Sequence, residues 1–473
     1  MNVMFWDLLL LGVFAVVFSS FLYIKRKKIN REGLLLLYHT RWGIKLIDSF
    51  GKKHRKGLKI LSYVSVFMGY ILMILMVYLF LEILWRYFFR PDIVRLIKVP
   101  PITPLIPYLP QIFKLDFFPN LYFSYWIIIL AIVAITHEFF HGIFARIANV
   151  KTKTTGFGFF PFFLPVFLAA FVSLDEKALV KRKNFEQMAV LSAGTFANVL
   201  TGILAVIVMA VFFLLSFSPS GVVYNDYAYG FVPLESITSV NNLPVENMSY
   251  ALLANLTKPR EPNDIVAGNT MFYGIKGVVA GEEDFVALYY DAPAIRNNLR
   301  GVITSIDGEK IWDLEKLSSI TSSHAVGDKI TISLYNGTGD YETEIELGES
   351  PEGNPWIGIT FINQGSGILG KVPGLTVQHF GGHLCSANSC SLGNFRGALF
   401  IYDLLWWLVL ISFSIALVNM LPVGIFDGGR FFYLTILAIT KSEKKAQKSY
   451  KAMTYIFLVL LLALMLFWAK SFF

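Results

Sequence analysis

The chain has 473 residues, of which 55% are hydrophobic, only 16% are charged and 43 are phenylalanine. This composition excludes an ordinary soluble domain and indicates a multi-pass membrane protein with some soluble part. The formal net charge is +8, but the lysines and arginines cluster beside apolar runs. Such clusters are typical of cytoplasmic loops and not of a nucleic-acid surface. Two cysteines are too few for a disulfide-dense scaffold.

The first apolar run, residues 4–24, is long enough to span a membrane and is followed at once by four basic residues. It predicts an uncleaved anchor with its N-terminus outside. The basic stretch of residues 31–59 is placed in the cytoplasm, and residues 60–84 return outward. Residues 86–120 are rich in proline and aromatic side chains and are placed outside or at the outer interface.

A candidate metal site follows in the apolar run of residues 121–148, which contains the sequence HEFFH from His137 to His141. Histidines four residues apart lie on one face of a helix, so both imidazoles can reach one ion, with Glu138 beside them as a base. Ionisable residues in a membrane-length run are functional by default; the alternative is a pair of satisfied core histidines. His137 lies about 24 Å along the helix from Leu121, against a hydrocarbon thickness of about 30 Å, which predicts a site in the cytoplasmic half of the membrane.

Residues 154–172 contain GFGFFPFFLPVF, whose prolines, glycines and bulky β-formers favour a re-entrant hairpin over a helix. Non-helical backbone at membrane depth must be buried in protein or line a wet cavity. The next apolar run, residues 188–217, crosses outward and contains Gly194 and Asn198. Gly194 permits close approach of helices, and Asn198 needs a polar partner. The alternative to a direct role for them is a packing seam with one interhelical hydrogen bond.

Residues 218–394 form a polar insert with strand-like runs and an internal repeat. ITSVNNLPV from Ile237 matches ITSIDGEKI from Ile303, and each copy predicts a short strand, a tight turn, a second strand and a helix. That order resembles PDZ domains, which bind extended chains at a sheet edge, and leaves one or two PDZ units open. The three N-x-[ST] sequons of the chain all fall in the insert, which supports an extracytoplasmic location: Asn247, Asn255 and Asn336.

The end of the insert holds a second candidate metal cluster. His379 and His383 are also four residues apart, with Cys385 and Cys390 just beyond. The sequence FGG between these histidines disfavours a helix, and no glutamate follows the first of them. The pattern favours a loop closed by a disulfide, or an unmetallated loop, over a second metal site.

Residues 398–421 cross inward and lead into NMLPVGIFDGGR, which begins at Asn419 and contains Asp427. A carboxylate and an amide in this apolar context form the second polar cluster within the membrane. A proline ends the helix and two glycines permit a tight turn, so irregular backbone can aim Asp427. The alternative is that Asp427 caps the next helix, predicted at residues 431–440.

HEFFH in one membrane segment, NMLPVGIFDGG in a later one and the PDZ-like insert between them together resemble the site-2 protease family of intramembrane zinc metalloproteases. The resemblance implies a polytopic α-helical membrane protein with about six transmembrane helices, a re-entrant β-like hairpin and an α/β PDZ-like extracytoplasmic insert. Residues 1–120 are expected to form the N-terminal transmembrane segments with a basic cytoplasmic loop, and residues 121–217 the first part of the catalytic core. Residues 218–394 are the insert. Residues 395–473 are expected to form the second part of the core and a C-terminal transmembrane segment.

By resemblance, the site residues fall into three groups. The first holds zinc as the cofactor and consists of His137, His141 and Asp427. The second is catalytic, with Glu138 as the general base and Asn419 as the polar residue beside the site that holds the substrate or the oxyanion. The third matches the family's G-x-x-x-N helix and is expected to position the substrate: Gly194 and Asn198.

The implied function is hydrolysis of peptide bonds in or near transmembrane segments, that is, regulated intramembrane proteolysis. The expected partners are transmembrane protein substrates and membrane lipids, with no nucleic acid. One alternative is a membrane metalloprotease of another HExxH family, whose third ligand would be a glutamate on a helix. Another is a non-catalytic membrane scaffold, which would use the PDZ-like insert without needing Glu138 or zinc. A transporter is disfavoured because the chain shows no repeat of halves.

Overall fold

The computed structural model describes residues 3–32, 35–89, 105–113, 115, 118–159, 168–258, 262–278, 285–361, 371–380, 383–386, 388–393 and 396–470. The chain forms two compact units, which are described separately below. The helical unit contains residues 1–209 and 400–473, and the insert unit contains residues 210–399.

Apolar runs bounded by basic or turn-forming residues form the long helices. In chain order, the helices of the described residues are α1 (Val3–Lys25), α2 (Ile44–Lys53), α3 (Arg55–Phe89), α4 (Leu109–Ile112), α5 (Phe123–Ile147), α6 (Glu176–Val180), α7 (Asn184–Ser216), α8 (Tyr250–Leu256), α9 (Pro293–Arg296), α10 (Leu314–Ser322), α11 (Arg396–Asn419), α12 (Asp427–Thr440) and α13 (Glu443–Lys470). Within this described part, six are long and apolar enough to cross a membrane, which confirms the predicted number: α1, α3, α5, α7, α11 and α13.

The strands lie in the two turn-rich parts of the chain. They are β1 (Ile29–Glu32), β2 (Leu35–Thr40), β3 (Thr152–Phe159), β4 (Leu168–Leu174), β5 (Phe217–Val223), β6 (Asp226–Tyr227), β7 (Tyr229–Pro233), β8 (Ile237–Val240), β9 (Leu243–Pro244), β10 (Asp264–Ala267), β11 (Thr270–Val278), β12 (Phe285–Tyr290), β13 (Val302–Ile306), β14 (Glu309–Lys310), β15 (Lys329–Tyr335), β16 (Asp340–Glu346), β17 (Gly348–Glu349), β18 (Pro355–Trp356), β19 (Ile359–Thr360), β20 (Gln378–Phe380), β21 (His383–Ser386) and β22 (Ser389–Gly393).

Helix α5 carries the HEFFH sequence and lies at the core of the helical unit. Ile129, Val133 and His137 are spaced four residues apart and are 0%, 1% and 8% exposed, so they share one buried face. The opposite face exposes apolar side chains, as a surface in contact with lipid does: Ile128, Ile132 and Ile135. One face of α5 is therefore packed against protein and the other exposes apolar side chains. The HEFFH motif begins on the packed face, at His137.

A carboxylate of α1 caps the N-terminus of α5. Asp7 accepts hydrogen bonds from the backbone N–H groups of Phe123 (2.7 Å) and Ser124 (2.9 Å) and from the hydroxyl of Tyr108 (2.6 Å). The helix's own N-cap, Tyr122, supplies no side-chain acceptor. The first N–H groups of a helix lack intrahelical partners, and a negative charge there also interacts favourably with the helix dipole. Asp7, which the sequence analysis missed although it lies in an apolar span, thus fixes the start of the motif-bearing helix.

A four-stranded antiparallel sheet belongs to the helical unit, in the order β1-β2-β3-β4. The predicted re-entrant hairpin stays a prediction as a whole, but its two strands are present as β3 and β4, paired antiparallel from Thr152 with Leu174 to Phe159 with Leu168. Residues 160–167, with the two prolines of the predicted turn, lie outside the described residues. The β1–β2 hairpin was not predicted and extends the sheet on the β3 side. Among the described residues β4 is therefore an edge strand, and its placement in the membrane stays a prediction.

The insert unit contains two sheet modules, one inserted into the other. Module A, residues 229–290, forms a sheet of its own in the order β7-β12-β11-β10-β8-β9. Module B, residues 217–227 and 302–393, begins before module A and resumes after it: β5 pairs with β13, and β6 pairs with β19. The modules have separate cores, exemplified by Val240 and Ile265 in A and by Ile303 and Ile332 in B.

The sequence repeat corresponds to the same local structure in both modules. In each module, the first strand of the repeat pairs with a two-residue strand across a tight turn. These pairs are β8 with β9 in module A and β13 with β14 in module B. The turn residues have positive φ: Asn241 (51°) and Asn242 (65°) in module A, and Asp307 (49°) and Gly308 (78°) in module B. Such turns favour Asn, Asp and Gly. A helix, α8 or α10, follows each turn, with an N-cap side chain that accepts a backbone N–H.

The second candidate metal cluster is a disulfide-closed hairpin. Cys385 and Cys390 are paired residues of β21 and β22 and form a disulfide. His383 is hydrogen-bonded through Nδ1 to the hydroxyl of Ser220 (2.8 Å). With both sulfurs in the disulfide, no thiolate is available to a metal ion here, in agreement with the interpretation favoured from the sequence.

Candidate metal centre

Two histidines and an aspartate converge in the helical unit. The Nε2 atoms of His137 and His141, one turn apart on α5, are 3.0 Å from each other. Asp427 Oδ2 lies 3.5 Å from the first and 3.3 Å from the second. Three potential ligand atoms from two distant parts of the sequence therefore face one point.

The loop between α11 and α12 delivers Asp427 to this point. Helix α11 ends at Asn419, and α12 begins at Asp427 itself, after the N-cap Phe426, whose side chain makes no cap hydrogen bond. A Cβ atom at Gly428 or Gly429 would strike the backbone of the preceding loop. These glycines therefore permit the tight turn that aims Asp427. The carboxylate is directed at the histidines, so the alternative of an aspartate that only caps α12 does not describe the structure.

Helix α7 supplies the outer hydrogen-bond partners of both imidazoles. His141 Nδ1 lies 2.7 Å from the carbonyl oxygen of Val190, and His137 Nδ1 lies 3.0 Å from the side-chain amide of Asn198. Val190 was not identified from the sequence, because it acts through a carbonyl that every residue possesses. Such outer partners orient metal-ligating histidines.

Gly194 lies midway between these two partners on α7. A Cβ atom there would be in hard contact with Nε2 of both His137 and His141. Only glycine therefore lets α7 approach the histidines this closely, as the sequence predicted for a close helix contact. Gly194 and Asn198 were predicted to position the substrate, and the structure places both against the imidazoles.

Glu138 faces the four-stranded sheet. Its Oε2 accepts a hydrogen bond of 2.8 Å from the backbone N–H of Val172, on the edge strand β4. A small cavity of about 70 Å³ lies beside it and is lined in part by residues of β3 and β4: Gly156, Phe157, Ala170 and Phe171. The carboxylate is thus held at the boundary between the motif-bearing helix and a strand edge. The sequence did not predict this contact.

The donor set suits zinc. Among the residues that the structure describes, the ligand atoms of His137, Glu138 and His141 lie close enough together to hold a metal ion, and Asp427 adds its oxygen to the two imidazoles. Two imidazole nitrogens and a carboxylate oxygen are a zinc donor set that leaves a position open. Asn419 is half-buried at the end of α11, and its catalytic role stays a prediction.

Comparison with known proteins gives three findings. The family model "Peptidase family M50" matches residues 125–464, which is more than half of the chain. No curated protein matches the chain. Among solved structures, the PDZ domain of an SdrC-like protein from Listeria monocytogenes is 30% identical and covers 15% of this chain and 79% of its own, with a TM-score of 0.15. The corresponding domain from Listeria innocua is 29% identical and covers 18% and 90%, with a TM-score of 0.14.

Proposed function

Because the chain belongs to peptidase family M50, the site-2 protease family, we propose that it is an intramembrane zinc endopeptidase that cuts transmembrane segments of other proteins, or the residues beside them. The observation that carries the proposal is the convergence of His137 Nε2, His141 Nε2 and Asp427 Oδ2, with Glu138 adjacent. His137, Glu138 and His141 belong to α5, which is long and apolar enough to cross a membrane, and Asp427 is the first residue of α12. The expected partners are transmembrane protein substrates and membrane lipids, with no nucleic acid.

The residues divide the chemistry between them. His137, His141 and Asp427 would hold zinc, which when bound supplies a Lewis acid that polarises the scissile carbonyl and the attacking water. Glu138, held through Oε2 by Val172, takes a proton from the attacking water with its other oxygen and passes it to the leaving amine. Asn419 is proposed to hold the substrate carbonyl or the oxyanion.

The site is proposed to lie in the cytoplasmic half of the bilayer, with the insert on the other side. His137 is 14 residues into α5, or about 21 Å along it, and two lysines follow shortly after the helix ends. The sequons of the insert support its extracytoplasmic placement. A substrate segment would then meet the site from within the membrane.

We propose that the free edge of β4 receives the substrate as an added strand. A helical segment hides its peptide bonds, so it must unwind before it is cut. Neighbouring strand residues direct their N–H groups to opposite edges, and Val172 N–H points away from β3 towards Glu138. Ala170, two residues earlier on the same edge, thus offers its N–H and carbonyl to an incoming strand next to the base.

Proline at position 170 tests this strand addition. Ala170→Pro removes an N–H that faces the free edge and leaves the pairing with β3 in place, which edge strands tolerate. We expect cleavage of a single-span reporter to fall by about tenfold, the loss of roughly one hydrogen bond to the substrate. Zinc content should stay unchanged. Ala170→Ser, which keeps the N–H and a similar size, is the control; equal cleavage by the two variants would exclude this edge.

The activity itself is tested with the full chain in proteoliposomes and a single-span reporter protein. We expect a cut inside or next to the transmembrane segment, mapped by mass spectrometry of both fragments. A zinc chelator should abolish the cut, and added zinc should restore it. A scaffold would bind the reporter and leave it intact under all conditions, and that result would overturn the proposed function.

A further inference from the structure

We infer that Asn198 is a positioning residue that fixes the tautomer of His137: its side-chain oxygen accepts the Nδ1 proton and leaves Nε2 bare towards the metal. The inference rests on the proposed function, because it concerns how the zinc ligands are prepared. It starts from a buried polar atom. Asn198 is 0% exposed, and within the described part of the chain its Oδ1 is buried without a hydrogen-bond partner.

The two orientations of the Asn198 amide have different consequences for His137. The atom 3.0 Å from His137 Nδ1 is placed as the amide nitrogen. A donor at that position would make Nδ1 an acceptor and put the proton of a neutral imidazole on Nε2. Yet Nε2 is the atom that faces His141 Nε2 and Asp427 Oδ2, and a protonated Nε2 cannot bind a metal ion.

A half-turn of the amide removes the conflict at His137 Nδ1, and it moves the amide nitrogen to the buried position where Oδ1 has no partner among the described residues. The nitrogen and oxygen of an amide have nearly the same shape, and which is which is an assignment from the hydrogen-bond network. After the turn, Oδ1 occupies the position next to His137 Nδ1, so the Nδ1–H donates to it. The proton is then held on the outer side of the ring, and Nε2 keeps its lone pair.

The neighbouring histidine already shows this arrangement. His141 Nδ1 lies 2.7 Å from Val190 O, and a carbonyl oxygen only accepts. His141 Nδ1 therefore carries the proton, and its Nε2 is bare. With Asn198 turned as inferred, both imidazoles have the same tautomer and present their Nε2 lone pairs to the same point.

The spacing of α7 matches that of α5. Val190, Gly194 and Asn198 are four residues apart and lie on one face of α7, as His137 and His141 lie on one face of α5. The order is antiparallel, with Val190 at His141 and Asn198 at His137. One face of α7 thus provides an acceptor for each ring and, between the acceptors, the glycine that leaves room for them.

The test compares zinc binding by three variants of the full chain in detergent micelles. Asn198→Asp keeps an oxygen acceptor and removes the donor, whereas Asn198→Leu has a similar volume and removes both. Thr195→Val is the control on the same helix, because Thr195 is also buried and, among the described residues, its hydroxyl donates to the Ser192 carbonyl of its own helix. Zinc retention is measured by competition with a chelator of known affinity, and cobalt(II) absorption bands report the coordination of the ligands.

We expect zinc to bind Asn198→Leu about 10- to 100-fold more weakly than wild type, the range measured for outer-shell partners of metal-ligating histidines. Asn198→Asp and the Thr195→Val control should stay within a few-fold of wild type and keep the wild-type cobalt spectrum. A purely structural side chain would give wild-type affinity in the Leu variant, and a donor role would give equal loss in the Asp and Leu variants. Either result overturns the inference.

If Asn198→Leu fails to fold, the Asp variant alone decides: zinc retention by a folded Asn198→Asp protein supports the acceptor role, and loss of about tenfold or more contradicts it. The binding measurements contain no peptide substrate. A chain that binds zinc as expected but never cuts the reporter would therefore overturn the proposed function and leave the inference standing. If the wild-type enzyme is active and the Leu variant binds zinc as tightly as wild type, the inference fails and the proposed function stands.

Discussion

Glu138→Gln is expected to lower cleavage of the single-span reporter by about 10²- to 10⁴-fold, the usual contribution of a general acid–base group. Glutamine keeps the size of glutamate and can still accept the hydrogen bond from Val172 N–H, but it cannot take a proton from water. Because the zinc ligands are other residues in this proposal, the zinc content of the purified variant should equal that of wild type.

The measurement for Glu138→Gln pairs reporter cleavage with metal analysis of the same preparation. Glu186→Gln, at a half-buried glutamate in the first turn of α7, is the control and should cut like wild type. Cleavage by Glu138→Gln within a few-fold of wild type would exclude Glu138 as the base. A parallel loss of zinc would make it a ligand instead.

Asp427→Ala is expected to abolish cleavage and also to weaken zinc retention by more than about 100-fold, since outer-shell partners alone are worth 10- to 100-fold. The carboxylate supplies the oxygen that lies near both Nε2 atoms, and its charge offsets the burial of a divalent cation. Both variants should therefore lose cleavage, but only Asp427→Ala should also lose zinc.

Metal content after mild chelation separates the two variants. Asp48→Ala removes a carboxylate of the same unit that is paired with Arg146 and not with the histidines, and it should keep both zinc and activity. If Asp427→Ala and Glu138→Gln hold equal, stoichiometric zinc, Asp427 is not a ligand. The third ligand would then have to be found elsewhere, as in the alternative of another HExxH family.

The sequence by itself determined the features that depend on neighbouring residues. The six membrane-length helices follow from apolar runs, and the facing of His137 and His141 follows from a spacing of four on one helix. The paired turns of the insert follow from Asn-Asn and Asp-Gly at positions of positive φ. The strands β3 and β4 were also predictable, because their glycines and β-formers favour strands over a helix.

Only the tertiary structure decided which distant groups meet. Val172 and Val190 act through a backbone N–H and a backbone carbonyl, and since every residue carries these groups, no side-chain pattern marks them. Asp7 reaches the start of α5 from another helix. Module A separates β5 and β6 of module B from β13 and β19, the later strands with which they pair. Asp427 was assigned from a motif, but its approach to both Nε2 atoms depends on how the whole helical unit packs. These contacts join residues far apart in the chain, and their geometry is set by packing that local sequence does not encode.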